Sequence, residues 1–412
     1  MTAVQPSSLI PIATDRPGDD PIFTLHGMAV KRAATGEDIL NATLGALVED
    51  DGTLAVMPAV HEALRRAPMK KASAYAPISG PPAFLAAVQH DLFHGHELES
   101  KAVAVATPGG SGAIYNAVTN FLEPGQKALT GSYYWAPYEI LTDLSRRGLD
   151  TFNLFNAEGH FDLVSFEAKL NEMVEAQGRV LVIINSPCHN PTGFSLNDDE
   201  WRGVTDIMAA ASDKGPVTLL IDYAYAKFAP AGGPDWRDHV ARTLAKVPCL
   251  VAWTASKSFA QYGARVGALV ALHEDATERE RMANAMGYTC RGTWSNCNHL
   301  GMLAVTDVLT DDTLRTSWHD ERARLVKLLD DRVVVFNKLA AKHNLKYPRY
   351  EGGFFVSVFS DDPAVTIKSM QDDGVFIVPL QGAVRVGLCA TPEDKIPRLV
   401  ESLAKGIAAA KK

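Results

Sequence analysis

The sequence predicts an α/β fold, with a large domain whose mostly parallel sheet is flanked by helices on both faces. Three observations lead there. Four short runs, residues 102–106, 180–184, 217–221 and 248–253, are apolar apart from Thr218. A strand buried on both faces needs that pattern, whereas a strand with one wet face alternates with period two. Helical stretches such as 113–122, 200–211 and 239–246 fall between these runs. Strand–helix–strand alternation implies right-handed crossovers and parallel pairing. Each apolar run also ends abruptly in a polar or glycine-rich cluster, and in open α/β sheets ligands bind outside the carboxyl ends of the strands.

Taken in order, residues 1 to about 25 are rich in Pro, Ser and Asp and show no periodicity. The strand and helix alternation occupies residues 59–318. Beyond it, the charged stretch 321–344 reads as one long amphipathic helix. Gly352-Gly353-Phe354-Phe355-Val356 then reads as a strand of a smaller C-terminal domain. The chain contains no internal repeat and no low-complexity tract.

The four clusters carry the chemistry. Thr254-Ala255-Ser256-Lys257 follows the last apolar run, with Arg265 eight residues on. Burial and a neighbouring cation lower a lysine pKa, and the neutral amine can then attack a carbonyl to form a Schiff base. Arg265 offers a rigid fork of donors suited to a phosphate. By itself such a pair is ordinarily solvated surface. It gains weight beside Asn185 to Gly193, Asp222-Tyr-Ala-Tyr225 and Thr107-Pro-Gly-Gly110-Ser111-Gly112, each at the end of another predicted strand.

In this order the chain resembles the fold-type I pyridoxal-phosphate enzymes, and among them the class I aminotransferases of the aspartate/aromatic branch. The resemblance runs from Asp20-Pro21-Ile22 through Asn41 and Gly45, Tyr75 to Gly80, the glycines of 109–112, the aromatic residues 133–135, Asn190-Pro-Thr-Gly193, Asp222 and Tyr225, Lys257, Arg265, and Arg291 to Asn296, ending at Arg385. It implies an N-terminal arm (1–25), a large cofactor domain (59–318) and a smaller α+β domain made of two pieces (26–58 and 319–412).

The resemblance also implies roles. Lys257 would hold pyridoxal 5'-phosphate as a Schiff base and then carry the proton between substrate Cα and cofactor. Asp222 would face the pyridine nitrogen, while Tyr225 and Asn190 would donate to the phenolic oxygen. Gly110 and Ser111, at a helix amino end, would cradle the phosphate with Thr254 and Arg265. Tyr75 would reach the phosphate in a neighbouring subunit's site. Trp135 would stack on the ring, with Tyr134 the alternative register. Arg385 would clamp the substrate α-carboxylate, Gly45 would let the backbone close over it, and Asn190 and Trp135 would border the substrate. Arg291, from the neighbouring subunit, would take a distal carboxylate, and Leu44, Ile22, Tyr288 and Trp294 would make a pocket apolar enough for aromatic rings. The Asn190–Pro191 bond is cis in relatives.

Departures from the family pattern are Thr254 for Ser, Gln261 for an apolar residue, Cys297 and Asn298 for two prolines, and Pro137 near a usually polar position. They leave the cofactor site intact and touch the substrate side.

Composition narrows the class further. A chain of 412 residues with 47% hydrophobic content can bury a large core and usually splits into two domains. The net charge of −8 argues against nucleic acid as main partner. No run of eighteen apolar residues suggests a membrane span, and no secretory signal is visible. Five scattered cysteines without CxxC pairing suggest reduced thiols and a cytoplasmic protein. The expected reaction is transfer of an amino group from an L-amino acid to a 2-oxo acid by a homodimer with shared sites. The alternative on the same scaffold is a lyase or decarboxylase, because the bond aligned with the ring decides the outcome. A ligand-sensing regulator is disfavoured, since only a short arm precedes the domain.

Overall fold

The structure, a computed structural model, describes residues 7–18 and 20–411. Residues 1–6 and 19 of the expected arm lie outside the described residues. The rest of that arm holds a short helix, Pro11–Thr14, and the start of a longer one, Pro21–Ala34. This second helix runs across the expected boundary at residue 25, begun by Pro21 behind the Asp20 side chain, which accepts the Ile22 N–H at 2.8 Å.

Seven strands form the main sheet: β1 (Ala102–Thr107), β2 (Lys127–Gly131), β3 (Gly148–Phe152), β4 (Val180–Asn185), β5 (Val217–Asp222), β6 (Cys249–Thr254) and β7 (Gly267–Leu272). Their order is β1-β7-β6-β5-β4-β2-β3. Every pair is parallel except those made by β7, which runs antiparallel to both its neighbours.

The apolar runs behave as buried strands should. Along β5, Leu219 and Ile221 join one core cluster, while Leu220, between them, joins the other. Successive side chains leave opposite faces of a strand, so a strand covered on both sides must be apolar at every position. The second cluster is closed by Ala113, Ile114 and Ala117 of the helix Gly109–Phe121 and by Met286 and Cys290 of the helix Ala276–Thr293.

Register sets where the polar clusters meet. Asn185 pairs with Asp222, and Gly267 pairs with both Thr107 and Thr254. Because β7 is antiparallel, its amino end lies on the edge where its parallel neighbours end. Arg265, two residues before β7, is therefore delivered to the same edge as Lys257, three residues after β6.

A second, smaller region contains β8 (Phe355–Phe359), β9 (Val378–Leu380) and β10 (Ala383–Gly387), an antiparallel sheet with β10 in the middle. The helices Pro363–Asp372 and Ile396–Ala409 belong to the same region. A pair of two-residue strands, Leu40–Asn41 with Val375–Phe376, joins the early segment to the late one. Buried Arg332 strengthens that join: its Nη2 donates to the Val48 carbonyl and Asp50 at 2.8 Å, and its Nη1 to the Cys389 carbonyl at 3.1 Å.

Some boundaries differ from expectation. The long helix is Asp312–Lys342, 31 residues, beginning nine residues before the predicted start. Asp311 caps it, accepting the Thr313 and Leu314 N–H groups at 2.9 Å, so one helix crosses the expected boundary at 318. The glycine cluster is not a loop ahead of its helix. The helix starts at Gly109 itself, which places Gly110 and Ser111 in its first turn.

Candidate active site

At the carboxyl edge of the sheet lies a cavity of about 130 Å³. Its lining includes Gly110, Ser111, Trp135, Asn190, Asp222, Tyr225, Thr254, Lys257 and Arg265. Nine residues singled out in the sequence thus meet in one place, from segments spread over more than 150 positions.

Lys257 sits in the one-turn helix Ala255–Ser258, whose first turn is capped by the Thr254 hydroxyl accepting the Ser256 N–H at 3.2 Å. Its Nζ lies 5.5 Å from the Tyr225 ring centroid and 5.2 Å from that of Tyr262. Burial, helped by the Arg265 charge, pushes the Lys257 amine down to about 8. A sizeable neutral fraction at neutral pH is what a nucleophilic amine needs.

Asp222 ends β5 and is buried. Its Oδ2 accepts the Tyr138 hydroxyl at 2.7 Å, and its Oδ1 accepts the Ala224 N–H at 3.2 Å. Burial raises its carboxyl above the usual range, opposed first by the Tyr138 bond. Asn185, at the neighbouring strand end, fixes this corner: its Nδ2 donates to the Asp222 carbonyl at 2.8 Å and its Oδ1 accepts the Asn190 N–H at 2.6 Å.

Arg265 stands at φ +53°. Its Nη1 donates to the Ser256 hydroxyl at 3.2 Å and the Tyr262 carbonyl at 3.1 Å. Ser256 Oγ is in turn 2.9 Å from Thr254 Oγ1. Gly109, at φ +70°, is required here, because a Cβ on it would lie 2.4 Å from Arg265 Nη2. Guanidinium, two hydroxyls and the first-turn N–H groups of the Gly109–Phe121 helix therefore share one corner of the cavity, an arrangement built for an anion.

Behind the lining residue Asn190 is Arg385, on β10, also buried. Its Nη2 donates to the Thr43 carbonyl at 2.7 Å and its Nη1 to Asn190 Oδ1 at 3.4 Å, while its carbon lies 4.3 Å from the Phe355 ring centroid. Its Nε is buried without a partner. A buried guanidinium with an idle donor is suited to a visiting carboxylate. Asn190 links the two halves, since its Nδ2 also reaches the Tyr225 hydroxyl at 3.4 Å. The Asn190–Pro191 bond is cis, as is Ser186–Pro187. Ser357 of β8 donates to the Pro191 carbonyl at 2.9 Å, seating the smaller sheet on this turn. Gly45 is adjacent, since a Cβ there would lie 2.7 Å from the Phe355 ring.

Other expected residues lie elsewhere in the single chain. Tyr75 is 92% exposed and Tyr288 83% exposed, and Arg291 is exposed at the end of the Ala276–Thr293 helix. None of these three, nor Leu44, Ile22 or Trp294, lines the cavity, and Arg385 and Gly45 also stand outside its lining. Between the two aromatic registers, Trp135 lines the cavity, while Tyr134 stacks on Tyr138 and bonds Glu139. Sequence reasoning assigned no role to Ser256, Asn185, Tyr138 or Tyr262. Ser256 and Asn185 stood inside motifs already quoted, next to assigned residues. Tyr138 had no such signal, because its partner lies 84 residues away.

A near-neutral lysine, a paired buried carboxylate and an anion corner in one cavity define an enzyme built around a phosphorylated carbonyl cofactor. Residues 37–403 match the family described as aminotransferase class I and II. The aromatic-amino-acid aminotransferase of Paracoccus denitrificans is 27% identical over 396 residues, 93% of this chain and 96% of that one. The aspartate aminotransferase of Pseudomonas aeruginosa is 28% identical over 374 residues, 87% and 90% of the two chains. The crystal structure of an aminotransferase from Anaerococcus prevotii superposes with a TM-score of 0.92 at 30% identity, covering 97% of this chain and 99% of that one. A Burkholderia pseudomallei aromatic-amino-acid aminotransferase, covalently bound to pyridoxal phosphate, shares the fold with a TM-score of 0.81 at 23% identity over 96% and 98% of the two chains. The chain belongs to the class I and II aminotransferases, which work with pyridoxal 5'-phosphate.

The residues present fit that cofactor. The cavity offers an amine for its carbonyl carbon, a carboxylate for its ring nitrogen, a hydroxyl and an amide for its phenolic oxygen, and a cationic, glycine-floored corner for its phosphate.

Proposed function

We propose that the protein moves the amino group of an L-amino acid with an acidic or aromatic side chain to a 2-oxo acid, in a ping-pong exchange. The observation that carries this reading is the convergence of Lys257, Asp222, Tyr225 and Arg265 on one cavity, with Arg385 held against it through Asn190. Pyridoxal phosphate, when bound, supplies a carbonyl carbon that takes the amino group and a conjugated ring that accepts electrons as the Cα proton leaves.

The chain's own groups do the rest. The Lys257 amine would hold the carbonyl carbon at rest and, once freed by substrate, would take the proton from Cα as base and deliver it as acid to the former carbonyl carbon of the cofactor. Asp222 would hold a proton on the ring nitrogen, and Tyr225 and Asn190 would donate to the phenolic oxygen. Gly110, Ser111, Thr254, Ser256 and Arg265 would hold the phosphate, and Trp135 would stack on the ring. Arg385 grips the α-carboxylate, which orients the Cα–H bond for removal.

Side-chain choice rests on a second subunit. Arg291, exposed at a helix end, would enter the partner's site to meet a distal carboxylate, and swing aside for an aromatic ring. Exposed Tyr75 would reach the partner's phosphate corner. The exposure of these residues and of Tyr288 supports a homodimer. Five free, buried cysteines support a reducing, cytoplasmic setting. Among the described residues, no helix is long and apolar enough to cross a membrane.

The test is the absorption spectrum of the cofactor-loaded protein during separate titrations with L-aspartate and L-tyrosine. The aldehyde-form band is expected to give way to the amine-form band, and a 2-oxo acid should restore it. A spectrum unmoved by either amino acid, or release of carbon dioxide or ammonia, would overturn the proposal.

A further inference from the structure

Away from the cavity, the geometry points to a surface site for a divalent transition-metal ion formed by His90, His94 and Glu99. His90 lies in the last turn of the helix Pro82–Phe93, and His94 is its C-terminal flanking residue. Four residues of separation bring both imidazoles to one side of the helix, with ring centroids 4.2 Å apart. Glu99 comes from the following 3-10 turn, Glu97–Lys101, and its Oε1 lies 3.0 Å from His90 Nδ1. One ligand atom from each of the three lies within 4.8 Å of the other two. Tetrahedral zinc with ligands at 2.0–2.2 Å needs donor separations of about 3.3 Å, so rotations of about an ångström in exposed side chains close the set.

The backbone beneath is fixed while the side chains are free to turn. The His94 N–H donates to the His90 carbonyl at 2.9 Å, and the Glu99 N–H to the His96 carbonyl at 3.1 Å, over buried Phe93 and Leu98. His96 is already engaged, its Nδ1 accepting the Leu98 N–H and its Nε2 facing Asp238, both at 3.2 Å. Among the described residues, the partner within ion-pair distance of Glu99 is His90, which leaves the carboxylate charge for a cation. Two imidazoles and one carboxylate select zinc, copper or nickel over magnesium or calcium, which ask for oxygen shells. The ion clips the helix end to the turn that enters β1, the strand whose far end leads into the phosphate corner. None of the three ligands lines the active cavity, so the ion acts on stability and leaves the chemistry alone.

The test uses untagged, cofactor-loaded protein stripped with chelator. Zinc is titrated by calorimetry, and cobalt(II) is followed by its visible absorption, which reports tetrahedral ligation. One equivalent is expected to bind, and Tm should rise with zinc concentration. His94→Ala and Glu99→Gln should each abolish the cobalt band and the Tm rise while leaving amino-transfer rates unchanged. Both substitutions are at the surface, and the two act on different elements, so a misfolded variant of one leaves the other to decide. The proposal fails if the wild-type protein shows no saturable binding, or if a His90→Ala/His94→Ala double variant binds zinc as the wild type does.

Discussion

Replacing Arg385 by lysine isolates what a fork of donors contributes beyond a positive charge. Arg385 is 5% exposed, spends Nη2 on the Thr43 carbonyl and Nη1 on Asn190, and keeps Nε without a partner. A lysine stem can follow the same path past Phe355 and keep the charge. Its single ammonium cannot hold Thr43 and also make two parallel bonds to a carboxylate. Losing one charge-assisted hydrogen bond in a buried site costs about 1.5–3 kcal/mol. At about 1.4 kcal/mol per factor of ten, that is a fall of about 10- to 150-fold in kcat/KM, seen chiefly as a raised KM. Initial rates would be measured with L-aspartate, with L-phenylalanine, and with phenethylamine, which lacks the carboxylate. The two amino acids should lose alike and the amine should lose little. An equal loss for phenethylamine, or an amino-acid loss under about threefold, would refute the carboxylate role of Arg385.

Other outcomes follow from the same geometry. Lys257 attacks only as the neutral amine, and its depressed value makes that form abundant from about pH 8 upward instead of only above 10.5. Capture of phosphate-free pyridoxal by cofactor-free protein, with Lys257→Ala as blank, should therefore rise with a midpoint near 8. Arg265→Gln removes a like charge and should move that midpoint upward; a midpoint at the ordinary lysine value in the wild type would contradict the burial argument. Tyr138→Phe removes the donor that holds the Asp222 carboxyl down, so that carboxyl should rise further and cofactor affinity should fall about 10- to 100-fold in a fluorescence titration. An unchanged Kd at unchanged Tm would count against it. Hybrid dimers of Lys257→Ala and Arg291→Leu subunits should recover aspartate turnover at one intact site per dimer, where each homodimer has none. No recovery in a verified hybrid would show that Arg291 does not serve across an interface.

Much of this site could be read along the chain because parallel strands write themselves locally. A strand buried on both faces favours apolar residues on both, so 180–184 and, but for Thr218, 217–221 announced themselves, and Asn185 and Asp222 marked their ends. Gly109 advertised a close backbone approach, because a side chain would not fit there. The direction of β7 was not legible, since an apolar run looks the same in either sense. Nor was the true start of the 31-residue helix, where Asp311 rather than hydrophobic period sets the boundary.

The sequence by itself determined the strand ends, the positions of Lys257 and Asp222 on them and the glycine-rich anion corner, because each depends on a neighbour close along the chain or on one repeating pattern. Only the tertiary structure decided that Tyr138 serves Asp222, that Ser256 bridges Thr254 and Arg265, and that Asn190 joins Tyr225 to Arg385, 195 residues away. The same holds for Tyr75 and Arg291, which face outward from the single chain. Those relations are set by sheet register and domain packing, which sum over many weak contacts that no local stretch of residues records.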